Sequence, residues 1–129
     1  MSKFIKWAIA AAAVLGFNAA AVAAETKTVY HINDSSVAMA ALNNVKNQLA
    51  ADKDAKVIVV THGKGIDFLL DGAADANGNP YNIKVEELMA RGVTFDVCNN
   101  TLMSRKIDPK TVIPGAKIVP SGVAELAKL

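Results

Sequence analysis

The run KVIVVTHG, residues 56–63, constrains the fold more than any other stretch. Val57, Ile58, Val59 and Val60 are consecutive β-branched residues. Such side chains crowd a helix and suit a pleated surface. A continuous apolar run, rather than an alternating one, fits a strand covered on both faces, and strands of that kind belong to parallel sheets flanked by helices. Gly63 and Gly65 then end the run.

The rest of the chain falls into the frame this strand sets. KTVYHIN (27–33) is a strand by composition. Asp34, Ser35 and Ser36 are candidate helix caps, and behind them Ala38, Ala41, Leu42, Val45 and Leu49 recur at helical spacing. IDFLLDGA (66–73) reads as a short helix and DANGNPYN (75–82) as a loop. IKVEELMARG (83–92) predicts a helix with Ile83, Leu88 and Met89 inward and Gly92 as its stop. VTFDVC (93–98) is the next strand, NTLMSRK (100–106) a short helix and DPKTVIPG (108–115) a loop. AKIVP (116–120) is a last strand, and SGVAELAKL (121–129) a helix starting near Ser121. This β-α alternation predicts an α/β layer fold: a mostly parallel sheet of about four or five strands, with helices on both faces and right-handed crossovers.

The first residues stand apart from that domain. Lys3 and Lys6 precede a short apolar run, AIAAAAVLGF, and Ala21-Val22-Ala23 fits a small-residue cleavage rule. The run is short for a membrane span and right for an export signal. We therefore expect a signal peptide over residues 1–24, cut after Ala23 or Ala24, a periplasmic location, and a single domain over 25–129 that is not membrane-bound after cleavage. Of 14 basic residues two lie in this leader, so the remainder balances the 12 acidic residues. A neutral domain without a basic, aromatic-interleaved patch offers nothing to nucleic acid.

In open parallel sheets ligands collect beyond the carboxyl ends of the strands, at a switch in strand order. Those ends read Asn33-Asp34-Ser35, Thr61-His62-Gly63-Lys64-Gly65, Cys98-Asn99-Asn100-Thr101 and Pro120-Ser121-Gly122. Cys98 is the chain's single cysteine, so no disulfide can form within the chain. Placed where a strand gives way to a helix, its sulfur would face free backbone N–H groups, which favour thiolate. Asp96, on the same side of that strand, would oppose a second negative charge. A buried, inert cysteine is the competing reading. His62 is a candidate proton partner; a loop-capping histidine is the blander reading, and His31, mid-strand, reads as packed. HGKG lacks the spacing of a phosphate loop, and two histidines with one cysteine lack zinc-site spacing. Asp75, Asn77, Asn79 and Glu86 echo a calcium loop, but Pro80 stands where that loop needs glycine.

Gly92-Val93, then Cys98-Asn99 with Thr101-Leu102, and finally Val119-Pro120-Ser121-Gly122-Val123 form a set that resembles the DsrE/DsrF-like family, most closely its group of intracellular sulfur oxidation proteins. The resemblance covers most of the chain after the leader. It implies a flavodoxin-like three-layer fold that assembles into homo-oligomers, often trimers or hexamers, with Cys98 in the place of a persulfide-carrying cysteine. Asn99, Asn100 and Thr101 would neighbour it, with Asn33 and Gly63 at adjoining strand ends. Relatives commonly run on past the last helix into a further short strand, whereas this chain stops at Leu129. The expected function is that of an exported sulfur carrier, taking sulfane sulfur from a donor and surrendering it to an acceptor, with no metal and no organic cofactor. The alternative is a non-catalytic oligomeric module that binds a small ligand and buries Cys98; a cysteine hydrolase ranks last, since His62 has no clear acid partner.

Overall fold

The computed structural model describes Gly16 and residues 24–129; the expected leader otherwise lies outside the described residues. Four strands and four α-helices alternate: β1 (Lys27–Asp34), α1 (Ala38–Ala51), β2 (Lys56–Lys64), α2 (Tyr81–Ala90), β3 (Thr94–Cys98), α3 (Asn99–Ser104), β4 (Lys117–Val119) and α4 (Gly122–Lys128). All strand pairs are parallel. Among the described residues no helix is long and apolar enough to cross a membrane.

The register sorts the strand residues onto two faces. Tyr30, Val59 and Phe95 are mutual neighbours on one face, as are Thr61 and Val97. This face carries the main core, in which Val57, Val59, Phe95 and Val97 pack with Leu42, Val45 and Leu49 of α1, Val85 and Leu88 of α2, and Leu102 of α3. The opposite face holds His31, Val60, Asp96 and Lys117 in one cross-strand row, and Cys98 beside Val119 in the next. Among the described residues α4 is the helix that lies over that face, against β2 and β3.

The strands run in the spatial order β1-β2-β3-β4. The site therefore does not lie at a reversal of strand order, where the sequence reading placed it. Right-handed crossovers in a sheet that grows in one direction put every connecting helix on the same face. The helix after β4 instead lies over the other face. The change of face by α4 takes the place of a change in strand order.

Two local readings change for physical reasons. IDFLLDGA forms only a single 3-10 turn, Asp67–Leu69, because Phe68 and Leu69 are drawn into the core while Gly72 follows with φ +77°. Ile83, expected inward, is 63% exposed; the buried stripe of α2 is Tyr81, Val85 and Leu88, which begins the helix two residues earlier, immediately after Pro80. Gly92 does end α2, at φ +90°, with its N–H on Met89 O and the Val93 N–H on Leu88 O. The Asp75 loop closes on itself: its carboxylate accepts N–H groups from Asn77, Asn79 and the Asn79 side chain. Those lone pairs hold a turn.

Candidate functional site: a cysteine cradled by amides

Cys98 ends β3 and caps α3, with φ −69° and ψ 115°. An extended capping residue leaves the first N–H groups of the helix without intrahelical acceptors, close to the capping side chain. The backbone N–H groups of Gly122, Thr101 and Asn100 and the Thr101 hydroxyl surround the sulfur and favour its anion, although the Cys98 side chain makes no helix-cap hydrogen bond. Burial pushes the thiol pKa up, since Cys98 is only 5% exposed, but these donors outweigh it and hold the thiol below its ordinary value of 9.0. The Asn100 N–H also reaches Pro120 O at 3.3 Å, so it is shared and the weaker donor of the set.

The cradle is built by three strand ends meeting. Thr101 is buried, and its hydroxyl accepts the Gly63 N–H at 2.9 Å while lying close enough to Cys98 to lower its pKa. That links the end of β2 to the surroundings of Cys98. Gly63 can present its N–H because it turns at φ +57°, and Gly65 behind it lies so close to β1 that a Cβ would stand 2.0 Å from Ile32 O. Arg105, at the end of α3, bonds both Gly63 O at 3.0 Å and Asp67 at 2.7 Å, tying the β2 turn to the helix that carries Thr101. From the other side, Ser121 caps α4 and sets Gly122 over the cysteine. A Cβ on Gly122 would lie 3.1 Å from Thr61 O and 3.3 Å from both Cys98 Cβ and His62 Cβ, so any larger residue would push these neighbours apart by a few tenths of an ångström.

His62 lies on the same face as Cys98, one strand over, half-buried, with its ring stacked on His31 at 4.6 Å between centroids and 24° between planes. Partial burial, and then the neighbouring His62, lower the pKa of His31. Asn99 is half-buried and Asn100 exposed; they enter the site through the start of α3. Asn33 is exposed at the end of β1, and among the described residues no hydrogen bond joins its side chain to the cysteine group. Among the same residues no cluster of three or more His, Cys, Asp or Glu could hold a metal ion.

Sequence reasoning did not single out Gly122, Arg105 or the full weight of Asp96. Gly122 carried a signal in Ser121-Gly122, a cap directly after a strand. Arg105 carried none, because its partners are 38 and 42 residues away.

Together these features define a parallel α/β domain whose one thiol lies at the carboxyl end of the sheet, among donors that lower its pKa. The chain belongs to the DsrE/DsrF-like family, whose model matches residues 10–129. It is similar in structure to the protein of unknown function MTH1491 from Methanobacterium thermoautotrophicum, with a TM-score of 0.70 and 27% identity over 81% of this chain and 90% of that one. The ychN protein from E. coli shares the fold at a TM-score of 0.65, with 18% identity over 81% of this chain and 89% of that one. No curated protein matches the chain.

Proposed function

We propose that this protein is an exported sulfur carrier in which Cys98 holds sulfane sulfur as a persulfide. The observation that supports it is the placement of Cys98 at the junction of β3 and α3, with Gly122 packed against it and the Gly122, Thr101 and Asn100 amides and the Thr101 hydroxyl around its sulfur lowering its pKa. The Cys98 thiolate attacks the sulfane sulfur of a donor RS–SH; the Cys98–S bond forms, the RS–S bond breaks, and the donor leaves as RS⁻. An acceptor thiolate then attacks the outer sulfur of Cys98–S–SH, and Cys98 leaves as the thiolate its amides stabilise. Electrons balance within each exchange, so no oxidant is consumed. Membership of the DsrE/DsrF-like family supports sulfur chemistry at this position. The basic, apolar and small-residue order of the first residues supports export to the periplasm, and the thinly covered sheet face supports assembly into a homo-oligomer.

The decisive experiment exposes the purified mature protein to thiosulfate or polysulfide and reads intact mass. A sulfur adduct is expected on the native protein and not on Cys98→Ser; an adduct on neither overturns the carrier. N-terminal sequencing of the exported material is expected to start at Ala24 or Glu25. A second reading, a small-ligand-binding module with a structural cysteine, draws on the low exposure of Cys98. It also draws on a separate cleft of about 420 Å³ lined by Met39, Asp75, Asn79, Pro80, Ile83 and Lys84. It is favoured if iodoacetamide reaches Cys98 only after unfolding.

A further inference from the structure

Asp96 is 1% exposed and its Oδ1 has no hydrogen-bond partner. It sits two residues before Cys98, on the face of the sheet over which α4 lies. A buried carboxylate without a donor is costly, whereas the neutral acid can occupy such a place. Burial comes first among the causes that raise the pKa of Asp96; Lys117, its partner on β4, opposes the rise, and Glu125 of α4 adds to it. The other titratable groups on this face are Cys98 on the same strand, His62 and Lys56 on β2, and His31 and Lys27 on β1, with Lys128 on α4 itself.

The helix above it is thinly anchored. Gly122 is the only buried residue of α4, Val123 is 62% exposed, and no α4 residue belongs to the main core. Yet α4 supplies the Gly122 N–H, the group that does most to lower the pKa of the Cys98 thiol. Cys98 lies 5% exposed next to this helix, with Gly122 packed against its side chain.

We propose that Asp96 is the positioning residue of this site: as a neutral acid it lets α4 seat with the Gly122 amide on the Cys98 sulfur, and its ionisation lifts α4 from the sheet. When Asp96 gives up its proton, two carboxylates, Asp96 and Glu125, confront one another across the helix–sheet contact, with Lys117 the cation on the same row. The sign is fixed by linkage. A carboxyl whose pKa is raised in the seated form stabilises that form fully below its unseated pKa, and the benefit disappears as pH rises through the seated one. One proton is involved, so seating weakens by about tenfold per pH unit inside that window and levels off outside it. This rests on the carrier reading for its purpose, since a donor must be admitted, but the motion itself is independent of sulfur chemistry.

The test is amide hydrogen exchange of residues 122–128 across a pH series, corrected for intrinsic rates, in the wild type, Asp96→Asn and Glu125→Gln. The wild type and Asp96→Asn both carry Cys98, so its own titration cancels in their ratio. The opening of α4 in the wild type relative to Asp96→Asn is expected to climb by about tenfold per pH unit over the window and then plateau. Glu125→Gln should open less than the wild type at the high end. A ratio that stays flat with pH overturns the proposal. If Asp96→Asn fails to fold, the wild type is compared with Glu125→Gln alone, and a flat ratio there overturns it equally. Loss of the sulfur adduct with the pH-dependent opening intact would instead sink the carrier and leave the latch standing.

Discussion

At the scale of single residues the site depends on donors counted one by one. Thr101 accepts the Gly63 N–H and sets its hydroxyl beside Cys98, whose pKa it lowers. Thr101→Val keeps the shape and removes the hydroxyl, leaving a half-buried N–H without an acceptor. We expect a loss of about 1–3 kcal/mol in urea unfolding, a raised thiol pKa and slower alkylation at neutral pH, with Thr101→Ser recovering both. Unchanged alkylation in Thr101→Val would remove the hydroxyl from the account. Cys98 itself predicts a pH dependence. Its folded pKa lies below 9.0, so the thiolate contributes stability that is complete above the unfolded pKa and is lost as pH falls through the folded one. The stability of the wild type relative to Cys98→Ser should therefore grow with pH up to about 9 and stay level beyond it. A flat difference in denaturant titrations at several pH values would mean that the amides do not stabilise the anion.

At the scale of elements, the fold lets sheet strands deliver those donors because two glycines permit close approach where the strands end. Gly65 and Gly72 separate the two reasons a glycine can be required. At Gly65 a Cβ would collide with the β1 backbone, 2.0 Å from Ile32 O, which cannot give way without breaking the β1–β2 ladder. Gly72 has φ +77° but open space around it. Gly65→Ala should cost more than about 3 kcal/mol and loosen the Gly63 turn, while Gly72→Ala should cost about 1 kcal/mol. Thermal unfolding of both variants checks this, and equal losses would contradict it. The same contrast marks how far the chain could be read in advance. The strand at Val57–Val60, the alternation of elements, the Gly92 stop and the position of Cys98 at a strand end were legible, because each is written in neighbouring residues. Strand order was not, since nothing local states which strand lies beside which. The Arg105 clamp, the Gly122 approach and the orphaned Asp96 oxygen were not legible either, because each is made by residues that only the fold brings together. Ile83 was misplaced because an apolar residue near a helix start satisfies the spacing whichever turn begins the buried stripe.

At the scale of the whole molecule the two sides of the sheet are unequal, and that inequality has to be resolved by something. Among the described residues one face is closed by α1, α2 and α3, and the other carries α4, seven residues long, across β2 and β3. Beyond that helix the second face leaves Val29 and Ile58 half-buried and His31 and Thr94 exposed, next to β1, an edge strand of eight residues. A mixed apolar strip beside a long open edge invites pairing with another surface. The proposed homo-oligomer supplies that surface with a second copy of the same chain, and a stable contact needs about 800 Å² from each copy. Ile58 is the informative position. It projects from β2 onto this face and is not part of the main core, so Ile58→Glu should spare the fold while placing a charge where two copies meet. In light scattering the native mature protein is expected to run as a trimer or hexamer and Ile58→Glu as a monomer with an unchanged circular dichroism spectrum. A native protein that is already a monomer would overturn the assembly. If Ile58→Glu stays assembled, the contact lies elsewhere, and the open strip must then be explained by a different occupant. The comparison also bears on Cys98: if neighbouring copies hold α4 down, the monomeric variant should alkylate faster than the native protein at the same pH, and equal rates would place the control of access within one chain.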